Sequence, residues 1–149
     1  MFMSSEKQQL LSIINDVVKE KHDKYAKYDD VLDGKFYHDL IRNLRDLDIN
    51  NIEMNETIYY GFVAERYIFD KLCELAKTND NIALDIIQSK MQTMSIITRK
   101  MGLFNVIDLE STLYDAITSY DLNGDFDKYL VSYVRNIKNN NDKTLTKKF

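Results

Sequence analysis

At 149 residues, 44% apolar and 30% charged, the chain can bury roughly two-thirds of its unfolded surface in one domain, and it is too apolar to stay disordered. The absence of proline and the presence of only four glycines leave few helix breakers. The net charge of -4 is uneven: from Arg135 onward five bases face only Asp142, so the remainder carries -8. An acidic body disfavours general nucleic-acid binding, because phosphate contacts need clustered Lys and Arg.

The first helix is expected over about residues 6 to 21. Ser5 and Gln8 have capping-box spacing, and Leu10, Ile13, Ile14, Val17 and Val18 make one apolar stripe. The charged stretch HDKYAKYDDVLDG then reads as a loop with room for a short helical turn. A second helix is expected from near Gly34 to about Asp48, with Tyr37, Leu40, Ile41, Leu44 and Leu47 on one face. Asn55 is placed to cap a third, about 56 to 77, which Gly61 could divide.

The fourth, about 81 to 101, carries Ile82, Leu84, Ile86, Ile87, Met91, Met94, Ile96, Ile97 and Met101 on a wide arc. A helix apolar over so much of its surface is expected at the centre of a bundle. Gly102 should stop it, and Asp108 should cap the fifth, about 109 to 120. The sixth, about 125 to 138, presents Phe126, Leu130, Tyr133, Val134 and Ile137 at helical spacing. No segment alternates as a strand does. The expected fold is all-α, a compact bundle of about six or seven helices around a central hydrophobic helix. Residues 1–138 form its single domain, and 139–149 a basic, flexible tail.

Few groups suggest chemistry. In SYDLNGDFDKYL, Asp121, Asn123 and Asp125 alternate as calcium ligands do, but Phe126 and Ser132 stand where the sharp-turn glycine and bidentate acid belong. The stretch reads instead as a turn at Asn123-Gly124 and a helix cap at Asp125. His22 and His38 have no neighbour at ligand spacing, and the acidic pairs Asp29-Asp30 and Asp46–Asp48 read as solvated. Cys73 stands alone on an apolar arc, so no disulfide forms within the chain, and a reducing, cytoplasmic setting fits. No leader peptide or spanning segment is expected, and no catalytic residue, cofactor or metal site is assigned. The cluster ETIYYGFVAERYIF differs: Tyr59, Tyr60, Phe62, Tyr67 and Phe69 cannot share one helical face, so some must reach the surface or a groove.

Gly34-Lys35-Phe36-Tyr37-His38-Asp39-Leu40 resembles the pattern of glycine, aromatic or leucine, tyrosine and leucine common in the second helix of the poxviral Bcl-2-like family. The order after it is similar too: a central helix with SKMQTMSIITRKMG, an amphipathic helix with LESTLYDAITSY, a short turn, and a last helix with DFDKYLVSYVRNIK. The Asn-Trp-Gly-Arg signature of cellular relatives is missing, and the chain has no tryptophan. The resemblance implies a cytosolic helical bundle without a membrane anchor. Such a protein blocks host innate signalling or apoptosis by binding a host signalling or apoptotic protein.

Its groove would be lined by the second and third helices, with Tyr37, Leu40, Leu44, Tyr59, Tyr60 and Tyr67 as partner contacts. A flat face used to mask a host protein or to form a homodimer is the other mode. Neither nucleic acid nor membrane insertion enters this reading. The alternatives are an unrelated helical adaptor or inhibitor, death-fold-like, phage or bacterial, and a small helical enzyme or metal protein.

Overall fold

The computed structural model describes the backbone of residues 5–50, 54–122 and 124–147, and side chains within these segments as far as Asp142. Six α-helices and a 3-10 turn account for nearly all of it: α1 (Ser5–Lys24), the turn Ala26–Tyr28, α2 (Gly34–Arg45), α3 (Glu56–Ala76), α4 (Asp80–Lys100), α5 (Leu109–Ser119) and α6 (Phe126–Lys147). No strand occurs among the described residues, so the all-α class holds. The chain divides into two compact units, residues 1–69 and 70–149.

In the first unit α1 packs on α2. Its buried side chains include Ile14, Val17 and Val18 of α1, Leu32 of the loop, Phe36, Leu40 and Leu44 of α2, and Ala64 and Ile68 of α3. The stripes expected on α1 and α2 are thus the faces that are buried. Ser5, expected as the cap, lies within α1, and the residues before it are outside those described. Asp33 caps α2, accepting from the Phe36 N–H at 2.9 Å. Asn55 accepts from the Thr57 N–H at 2.9 Å, as its placement suggested. α3 continues through Gly61 unbroken: a lone glycine within a helix costs only about 1 kcal/mol.

In the second unit α4 packs on both α5 and α6. Ile82, Ile86, Met94 and Ile97 bury one side of it, while Leu84 and Ile96, counted in the wide arc, are about half exposed. Thr98 is fully buried, and its hydroxyl is satisfied by donating to the Met94 carbonyl at 2.8 Å. Asn79 caps the start, accepting from the Ile82 N–H at 3.3 Å. The end is a Schellman motif. Gly102 takes φ +71°, its N–H reaches the Arg99 carbonyl at 3.2 Å, and the Leu103 N–H reaches Thr98 at 2.8 Å.

Asp108 caps α5, accepting from the Ser111 N–H at 2.9 Å. α6 runs on to Lys147, past the end expected near residue 138 where the apolar periodicity stops. The charges of Lys143, Lys147 and Lys148, and Phe149, lie outside the described side chains.

Candidate functional site

The residues expected to meet a partner lie mostly in the core of the first unit. Leu40 and Leu44 are fully buried, and Tyr37 and Tyr60 are 7% and 2% exposed. One turn of helix separates Leu40 from Leu44, and that spacing serves an internal face as well as an external one. The Tyr37 ring lies edge-on to His22 at 4.8 Å and to Phe36 at 5.3 Å. Its hydroxyl is buried without a hydrogen-bond partner among the described residues. Burial first, then the Asp29 charge, pushes its pKa up. Tyr67, half-buried, stacks at a tilt on Phe36 at 5.3 Å, and Tyr59 is half-buried beside Tyr60.

Among the described residues of the first unit, the exposed large apolar side chains are instead Met54, Ile58 and Phe62, at 48, 60 and 68%. Their spacing of four places Ile58 and Phe62 one above the other on α3. Phe62 belongs to the aromatic cluster visible in the sequence; Ile58 gave no signal, because an isoleucine at helical spacing reads as core.

Each unit carries a concave site lined by described residues. In the first unit a cavity of about 420 Å³ has apolar walls from Leu10, Leu11 and Ile14 of α1, from Leu47 and Ile49 after α2, and from Tyr60. Lys7, Arg45 and Asp46 supply its charges. In the second unit Arg99, Gly102, Phe104 and Asn105 line a cavity of about 460 Å³, and the Arg99 guanidinium lies 4.1 Å from the Phe104 ring centre. That cation–π contact holds the two side chains together where the chain leaves α4.

A polar cluster gathers on Glu65. Lys24 reaches its Oε1 at 2.7 Å, the Tyr25 hydroxyl donates to the same oxygen, and the Lys21 ammonium sits 2.8 Å from Oε2 as a charge contact. Burial alone would push the carboxyl up, but the donors Lys24 and Tyr25 and the Lys21 ammonium outweigh it and hold it at about 2. Burial and the Glu65 carboxylate push the Tyr25 hydroxyl well above its ordinary range. A carboxylate so committed to donors makes a poor general base, and the arrangement ties the end of α1 to α3.

His22 forms an exposed pair with Asp29 at 3.6 Å, and His38 is exposed on α2. Cys73 is fully buried; burial first, then Asp70, pushes its thiol up to about 12, far from a reactive thiolate at neutral pH. Asp125 accepts from the Asp127 and Lys128 N–H groups at 2.8 and 3.3 Å, so its carboxylate caps α6. The Tyr120 hydroxyl closes the same turn on the Gly124 carbonyl at 2.7 Å. Leu122 and Gly124 adopt positive φ there, and Asn123 lies outside the described residues. Among the described residues no three His, Cys, Asp or Glu side chains gather as a metal site would need. No described helix is long and apolar enough to cross a membrane. No protein-family model, curated protein or solved structure matches the chain.

Proposed function

We propose that this chain is a cytoplasmic protein–protein interaction module, a viral inhibitor that binds a host protein of innate immune signalling or apoptosis. One observation carries the binding part: Ile58 and Phe62, stacked on α3, leave 60 and 68% of their surface in water. Single exposed apolar residues are ordinary, but two large ones in register, with Met54 just before them, form a patch of the kind that marks interaction sites. The viral part rests on the likeness of Gly34–Leu40 and of the later helices to the poxviral Bcl-2-like pattern. The binding face in this reading is the start of α3 rather than the buried Leu40 and Leu44.

The test is capture from host-cell extract by the native chain and by Ile58→Asp/Phe62→Asp, with circular dichroism to establish that both are folded. The expected result is one stoichiometric host protein held by the native chain and lost, at least tenfold, by the variant. Equal capture by both would move the interface elsewhere. Capture of nothing, together with a sedimentation shift from dimer to monomer in the variant, would replace the host partner by a second copy.

A further inference from the structure

We draw no further inference here: the strongest candidate, the apolar cavity that Leu10, Leu11 and Ile14 of α1 form with Leu47, Ile49 and Tyr60 in the first unit, carries charges of both signs on Lys7, Arg45 and Asp46, and nothing in the structure shows what covers it.

Discussion

In residues 1–69 the end of α1 meets α3 through charge, with two ammonium groups and a phenol converging on Glu65. In residues 70–149 the turn from α5 to α6 closes through rings: Tyr120 lies edge-on to Phe126 and tilted against Tyr129, both at 5.3 Å, and Tyr129 reaches Tyr133 at 6.1 Å. The two devices respond to different disturbances. A charge cluster depends on protonation and is weakened by water around it, while a ring cluster depends on volume and shape. Both units leave large apolar side chains in solvent, Phe62 at 68% in the first and Val106 at 62% in the second, while Phe126 of the ring cluster is 5% exposed.

The strongest challenge to this contrast is a cavity in each unit. Leu44 and Leu130 are both fully buried, so Leu44→Ala and Leu130→Ala are each expected to cost about 2–5 kcal/mol in urea unfolding. If one loss were under about 1 kcal/mol, that unit would not rest on close packing. Glu65→Gln separates the units by pH. The Glu65 carboxyl lies at about 2 in the folded chain against an ordinary 4.5, so the carboxylate stabilises the fold fully above pH 4.5. That contribution is lost as pH falls from 4.5 to about 2. With the side chain 34% exposed, solvent screening reduces it to about 1 kcal/mol.

The gap between native and Glu65→Gln stability should therefore close on acidification, while the gap for Leu130→Ala stays. A Glu65→Gln gap that persists unchanged to pH 2.5 would refute the charge reading. An effect of comparable size is expected at a cap. Asp108→Ala should cost about 1 kcal/mol, and Asp108→Ser should restore most of it, because either oxygen can accept from Ser111.

Three helix starts and stops were legible because their causes lie within four residues, whereas α2 ends at Arg45 although Leu47 carries the apolar spacing toward Asp48. Asn55, Gly102 and Asp108 act where their neighbours said they would. The expected end of α6 was drawn from side-chain periodicity, but a helix propagates through its backbone and passes Ile137 without needing another apolar residue. The possible break at Gly61 failed for the same reason: the residues on either side favour continuing. Glu65 was hidden because its partners stand about forty positions earlier, 41 for Lys24 and 40 for Tyr25. The exposure of Ile58 and the burial of Leu40 follow from which helix covers which face, and identical spacing precedes both outcomes.

Cys73 has a practical consequence. It is the chain's one cysteine, sealed from water, with its thiol pushed up to about 12 by burial and by Asp70. The folded molecule should ignore a maleimide at pH 7 and take up one equivalent only after denaturation, as mass spectrometry would record. A cysteine introduced at position 62 would then be the sole handle for a fluorophore, and its emission would report directly whether anything settles over the start of α3.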